Sequence, residues 1–368
     1  MGPLEGIRII EMAGLGPGPY CGMLLADMGA DVIRVDRPGA GDPLHGETRG
    51  DTMGRGKRSI QLDMRKSPED KETFWKLLST ADVLFEGMRP GVMERLGIGP
   101  DECLKRRPKL VYGRMTGFGQ TGPMALAAGH DINYAAMSGT LAHIGTKEQP
   151  IIPLNLVADF GGGGLFLAMG ILGALLRVGR GVDGQVVDAT MLDGAASMAN
   201  IFFGLMATGR WTPNRGENFL DGGAHFYNTY ATKDGEWISI GAIEPQFYAD
   251  LLKALGISED PSYADYFNRD KWSAWKEDFT RRFKEKTRDE WTAIFSKLDA
   301  CYAPILNWIN AKDHPHNIER KVFIEVDGVT QPAPAPRFGG TPTSVRGGPP
   351  SVGQHTNEIL KELGLPAR

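Results

Sequence analysis

Cysteine is scarce in this chain. Cys21, Cys103 and Cys301 are the only three among 368 residues, and they form no CxxC pair or metal-spaced cluster. That excludes a disulfide scaffold or a thiolate zinc site, and an odd, sparse set suits a reducing compartment. Long apolar runs are missing too. The longest reads from Leu165 to Leu176, short of the ~20 residues that a ~30 Å bilayer requires. The start, Met1-Gly2-Pro3-Leu4-Glu5, has no basic n-region, and the ending Leu365-Pro366-Ala367-Arg368 is no address of the Ser-Lys-Leu type. A cytoplasmic protein without a membrane span is expected. Nor does charge of one sign dominate: 41 Lys and Arg against 45 Asp and Glu leave a net charge of -4. No global attraction to nucleic acid follows, although local basic clusters can still hold phosphate. His45, His143, His225, His314, His316 and His355 show no metal-ligand spacing, so no metal ion is expected.

Glycine is in excess, with 49 residues, about twice its usual share. So much glycine implies tight turns or close backbone approaches. The length exceeds the usual single core, so two packed units are expected. Residues 6–37 read as strand, glycine-proline turn, helix and strand. A second such unit follows, with a strand near 59–62 and a helix capped by Ser67 with Pro68 at its first position. Strands near 83–85, 110–114 and 185–188 continue the alternation, which predicts a doubly wound, largely parallel α/β sheet. Residues 160–177 read as a buried helix entered through a flexible run of four glycines. Past Gly209 the pattern changes. A strand near 237–240 after an Asp234-Gly235 turn, and amphipathic helices near 246–255, 272–283 and 290–298, predict a smaller α+β domain. Residues 332–350 are rich in proline and glycine and read as extended, before a short helix near 355–363.

Gly14-Leu15-Gly16-Pro17-Gly18-Pro19 resembles a dinucleotide fingerprint, with Asp36 near the place of the ribose acid. Pro19 stands at the third glycine, and two prolines remove donors that would hold a pyrophosphate. A shaped turn is the better reading. Arg37, Arg65 and Arg89 close predicted strand ends or the turns after them, and Arg95 follows one helical turn on. Their convergence would make a phosphate pocket, and a solvated basic rim is the alternative for any one of them. His130 follows Gly129, which permits a close approach, and the residues after Asp131 can start a helix, so the Asp131 N–H could point at a ligand oxygen and stabilise an oxyanion there. The Asp131 carboxylate itself reads as a helix cap. Asp159, ahead of Gly161 to Gly164, is either an N-cap or a carboxylate whose proton affinity is raised for acid/base work. Glu244 precedes Pro245 where a helix would start; glutamate caps poorly, so a side-chain task elsewhere is more plausible. Met191, Met198 and Met206 read as core filling or as a deformable surface for an acyl chain.

Three segments carry a resemblance: Gly129-His130-Asp131-Ile132-Asn133-Tyr134, Asn155 to Phe160, and Gly241 to Gln246. With Leu4 to Glu11, Gly29 to Pro38, Arg89-Pro90-Gly91, Gly117 to Pro123 and Asp221 to Ala224, the chain resembles the alpha-methylacyl-CoA racemases of the family III CoA-transferase (CaiB/BaiF) superfamily over nearly its whole length. The resemblance implies interconversion of (R)- and (S)-2-methylacyl-CoA by 1,1-proton transfer through an enolate. His130 and Asp159 would be the two bases, Glu244 of a partner subunit would hydrogen-bond His130, and Asp131 would belong to the catalytic set. Arg37, Leu62, Asp63, Met64, Arg65, Gly87, Met88, Arg89, Arg95, Gly129, Ile132, Asn133 and Tyr134 match positions that contact CoA, which is part of the substrate; no separate cofactor is implied. Arg65 stands where the family has lysine. The implied organisation is a large domain over 1–190, a linker over 191–222, a small domain over 223–325 and a return segment over 326–368, in an interlocked homodimer. The rival reading is a family III CoA-transferase with Asp159 as nucleophile, which needs neither an opposing histidine nor an orienting glutamate. A third reading, a silent CoA-binding protein, leaves the three acid/base positions unexplained.

Overall fold

The computed structural model describes residues 2–39 and 47–368; His45 lies outside the described residues. The chain divides into two compact units, one made of Met1–Ser138, Leu154–Met198 and Lys321–Arg368, the other of Gly139–Pro153 and Ala199–Arg320.

The first unit is built on six parallel strands, β1 (Arg8–Met12), β2 (Asp31–Asp36), β3 (Arg58–Gln61), β4 (Val83–Glu86), β5 (Val111–Thr116) and β6 (Val186–Thr190), in the order β3-β2-β1-β4-β5-β6. Ile10 sits opposite Ile33 of β2 and Leu84 of β4. Ile9, Ile10, Val32, Ile33, Val83, Leu84 and Phe85 are all fully buried or nearly so, as central parallel strands covered on both faces require. The order reverses between β1 and β4, and in doubly wound sheets the crevice outside the carboxyl ends of such neighbours receives the ligand.

Helix α1 (Pro17–Asp27) starts at Gly16, whose φ of 66° a glycine supplies without strain. Helix α2 (Pro68–Ser79) begins as its sequence dictates, Ser67 Oγ accepting from Asp70 N at 3.1 Å with Pro68 in the first turn. Short helices α3 (Val92–Arg95), α4 (Pro100–Arg106) and α5 (Asp131–Met137) follow. Next comes a π-helical segment, Leu156–Leu165, that runs into α6 (Phe166–Val178), and α7 (Met191–Met198) comes after β6.

The glycine run is thus no flexible start. Gly161 to Gly164 lie inside the π segment because α1 and α7 pack against it. A Cβ on Gly194 would fall 1.9 Å from the Gly162 carbonyl oxygen, and one on Gly162 would fall 2.5 Å from Ala195 N. Gly162→Ala is accordingly expected to lower the unfolding free energy by about 1–3 kcal/mol, read by urea titration; an unchanged midpoint would show that the backbones can part freely.

The π segment and α6 form one helix of 23 residues, Leu156–Val178, with a mean hydropathy of 1.6 over its most apolar stretch. The sequence reading took the run as Leu165 to Leu176, too short for a bilayer; the glycines continue the helix backwards, so by length and composition it could span one. In the unit it packs as a core helix, α6 against β5 and β6. It is not buried all round: Leu167, Ala168, Ile171 and Ala174 face inward, while Leu165, Met169 and Leu176 are exposed.

The second unit contains α8 (Asn200–Ala207) and an antiparallel sheet of β7 (Tyr227–Ala231), β8 (Trp237–Gly241) and β9 (Tyr302–Pro304). Helices α9 (Pro245–Ala254), α10 (Trp272–Phe283), α11 (Arg288–Phe295), α12 (Trp308–Ala311) and α13 (Pro315–Glu319) complete it. Its core is strongly aromatic, with Phe226, Tyr230, Trp275, Phe279, Phe283, Trp291 and Phe295 packed together. Residues 139–153 belong here because the Arg215 guanidinium donates to the carbonyls of Ala142, at 2.6 Å, and Thr146, at 2.5 Å.

Beyond Arg320 the chain rejoins the first unit. The hairpin β10 (Phe323–Val326) and β11 (Val329–Pro332) turns at Asp327-Gly328, and α14 (Thr356–Glu362) packs on β3 and buries Ile359 and Leu360.

Candidate active site

The carboxyl ends of β2, β3 and β4 bring several basic residues to one edge of the sheet. Arg37 follows β2, Arg65 follows β3, Arg89 follows β4, and Arg95 closes α3; all four are exposed. Arg34, inside β2, is engaged otherwise, by Asp36 at 3.0 Å and Asp51 at 2.9 Å. Asp36 is buried and also accepts from Ser59 Oγ at 2.5 Å, so it is a carboxylate already engaged within the sheet.

The turn after β3 is shaped by two carboxylates. Asp70 Oδ2 accepts from Asp63 N at 2.6 Å, and Asp63 Oδ1 accepts from the Arg65 and Lys66 N–H groups at 3.2 and 3.1 Å. Leu62 lies in the core with Met64 packed partly against it, which leaves Arg65 as the projecting group of that segment. Gly87, Met88 and Arg89 hang from Glu86, a residue the sequence reading passed over. Glu86 Oε2 accepts from Met88 N at 2.6 Å and Oε1 from Arg114 Nε at 3.1 Å. Burial pushes this carboxyl up to about 7. A glutamate closing the otherwise apolar Val83-Leu84-Phe85 was the available signal.

His130 is exposed and stands as the N-cap of α5 in extended conformation, its N–H donating to Asn133 Oδ1 at 3.0 Å. Tyr134, one turn on, is buried against Phe118 and donates its hydroxyl to the Gly129 carbonyl. Ile132 and Asn133 are exposed beside it. Asp131 is 3% exposed and does not cap its own helix, contrary to the sequence reading. Its Oδ1 accepts from Ala158 N at 2.8 Å and Asp159 N at 2.7 Å.

Asp159 is half-buried and lies within the π segment, so the alternative of an N-cap is also set aside. Its Oδ2 accepts from Asn155 Nδ2 at 2.7 Å, and a side chain at Gly16 would come within 3.4 Å of the same oxygen. Burial raises the carboxyl above its ordinary range; the Asn155 hydrogen bond opposes this, the Asp131 charge adds to it, and His130 opposes it. The structure therefore brings His130, Asp131 and Asp159 into one electrostatic neighbourhood. Glu244 belongs to the second unit, exposed at the N-cap of α9 with no capping bond from its side chain. Met191 is buried against Gly163, whereas Met198 is exposed, with its thioether beside Gly161, two residues beyond Asp159. Met206 is half-buried in α8.

An imidazole and a carboxylate of raised proton affinity, on segments joined by the Asp131 hydrogen bonds, can give and take protons at a carbon acid. Comparison with known proteins agrees with the architecture. The description CoA-transferase family III matches residues 4–356. The chain is 46% identical over 368 residues to the alpha-methylacyl-CoA racemase of Mus musculus, covering 98% of this chain and 93% of that one. It is 45% identical over 366 residues to the Homo sapiens alpha-methylacyl-CoA racemase, covering 98% and 94%. The crystal structure of a CaiB/BaiF family protein from Brucella suis superposes with a TM-score of 0.84 at 27% identity, covering 98% of this chain and 99% of that one. The chain belongs to CoA-transferase family III.

Proposed function

We propose that this protein is an isomerase that interconverts (R)- and (S)-2-methylacyl-CoA thioesters. The observation that carries the reading is that Asp131, the residue after His130, accepts the backbone N–H of Asp159, a half-buried carboxylate whose proton affinity burial raises. The high identity to the two racemases over almost all of both chains supports it. His130 removes the α proton from the (S) isomer and Asp159 removes it from the (R) isomer, each returning a proton to the planar enolate that the other has left. The Asp131 N–H, at the first residue of α5, meets the thioester oxygen as it becomes an enolate. Glu244, from a partner subunit, holds the His130 ring. CoA enters as part of the substrate, its phosphates met by Arg37, Arg65, Arg89 and Arg95 and its length by Leu62 to Arg65, Gly87 to Arg89 and Gly129 to Tyr134.

The assembly is an interlocked homodimer of large and small domains, between which the chain passes after 198 and again after 320, and exposed apolar residues such as Leu165, Met169 and Leu176 support a covered face. The three free cysteines fit a cytoplasmic setting.

The test uses (R)- and (S)-2-methylacyl-CoA in heavy water. Deuterium at the α carbon with inversion is expected from both isomers. Absence of exchange, with CoA trapped on Asp159 when an acceptor acid is supplied, would replace the racemase by the transferase.

A further inference from the structure

Asp131 is a buried carboxylate whose hydrogen bonds run to another part of the chain. Its Oδ1 accepts the backbone N–H groups of Ala158 and Asp159, across 27 and 28 residues of sequence. Those donors sit in the first turn of the long helix that begins at Leu156, where N–H groups have no partner within the helix. The residue before that helix, Asn155, does not cap it with its side chain; its amide is turned to Asp159 Oδ2 instead. Asp131 thus performs a capping task for a helix to which it does not belong. Asp131 also follows His130 directly in sequence.

We propose that the Asp131 side chain is a positioning residue of the proton transfer, a strut that ties the peptide carrying His130 to the peptide carrying Asp159. The inference rests on the two-base reading given above. Two charge-assisted bonds to one oxygen leave that frame little freedom, and two bases on opposite faces of one carbon need a fixed separation, because a misplacement of about 1 Å can cost ~100-fold in rate. The second oxygen, Oδ2, is buried without a hydrogen-bond partner among the described residues. The carboxylate acts on Asp159, whose proton affinity it helps to raise. Other described groups lie around Asp159, and Arg89 acts on the adjoining Tyr134. From α5 come His130 and Tyr134; from its own segment comes Asn155. The side of α1 presents Gly16 and the Tyr20 ring, which packs on Phe160. Asp188 of β6 and Asp193 of α7 act on each other, Arg114 of β5 is paired with Glu86 and Glu94, and Arg177 closes the far end of α6.

Two variants of the full-length enzyme separate the strut from the charge. Asp131→Asn keeps an acceptor oxygen and removes the charge. It is expected to fold as the wild type does and to move the acid limb of deuterium exchange from the (R) isomer to lower pH, while leaving the (S) limb in place. Asp131→Ala loses both bonds and is expected to lower kcat for both isomers by about 10- to 100-fold with little change in KM. Wild-type kcat in the alanine variant together with an unmoved (R) limb in the asparagine variant would overturn the inference. So would an unfolded asparagine variant, since the carboxylate would then serve folding alone. Wild-type enzyme run alongside keeps the two levels apart: no exchange there removes the racemase reading, whereas exchange there with unaffected variants removes only the strut.

Discussion

Asparagine in place of Asp159 is expected to lower kcat/KM for inversion by about 10²–10⁴-fold in both directions, the usual contribution of a positioned acid or base. That is a loss of about 3–5 kcal/mol of transition-state stabilisation. Both directions must fall together, because the equilibrium between the two isomers is set by the substrates and no substitution in the catalyst alters it. Exchange at the α carbon divides them. With His130 intact, the (S) isomer should still exchange its proton with solvent and return as (S), whereas the (R) isomer should no longer exchange. His130→Gln should give the mirror result. The wild-type pH profile carries a further sign. Burial raises Asp159, and only its ionised form removes a proton, so exchange from the (R) isomer should rise with pH through a limb lying above the ordinary carboxylate range. Equal loss of exchange from both isomers in Asp159→Asn would sink the assignment of separate faces.

What was legible in the sequence follows the range of the forces involved. The start of α2 was readable because Ser67, Pro68 and Asp70 settle it among themselves. Helix α10 was readable because Trp272, Trp275, Phe279 and Phe283 repeat at helical spacing and are all buried. The six-strand sheet followed from apolar runs alternating with helices, and the order of strands supplies what the runs alone did not, the crevice between β1 and β4. The candidate residues of the site were also legible, as residue types in suggestive settings. Their relations were not. Nothing within a few positions of Asp131 says that its carboxylate reaches Ala158 and Asp159, so a local rule assigned it a local cap. The glycines from 161 to 164 announce close contact or flexibility alike, and only the presence of α7 against Gly162 decides. The β10–β11 hairpin carried an Asp327-Gly328 signal that went unused, because strands of four residues offer too few positions for alternation to show.

Lys57 and Glu11 form the most deeply buried ion pair described in the first unit, Nζ to Oε2 at 2.6 Å with both side chains wholly enclosed. Lys57 also donates to the Pro19 carbonyl at 2.9 Å. Gly22 makes room for them, since a Cβ there would stand 2.0 Å from Glu11 Oε2. Lys57→Met is expected to destabilise the protein by about 3–5 kcal/mol, the usual result of leaving one buried charge without its partner. The larger part of this comes from Glu11. Burial already raises its carboxyl, and Lys57 is the chief influence holding it down, so the variant's folded state would bind a proton more tightly still. A folded-state pKa raised above the unfolded one gives stability that is complete below the ordinary carboxylate range and is lost as pH rises through the folded value. The gap between wild type and variant should therefore be small in acid and widen towards neutrality. Adding Glu11→Met should recover most of the loss, because an apolar pair of similar volume replaces a buried ion pair at little net cost. About 1 kcal/mol should remain, from the Pro19 carbonyl left without its donor. Urea titrations of the single and double variants at acidic and neutral pH measure each of these quantities. A single variant whose deficit is independent of pH, or a double variant no more stable than the single one, would mean that Lys57 acts mainly through Pro19 and the start of α1. That outcome would move its importance from the sheet to the Gly16 turn beside Asp159.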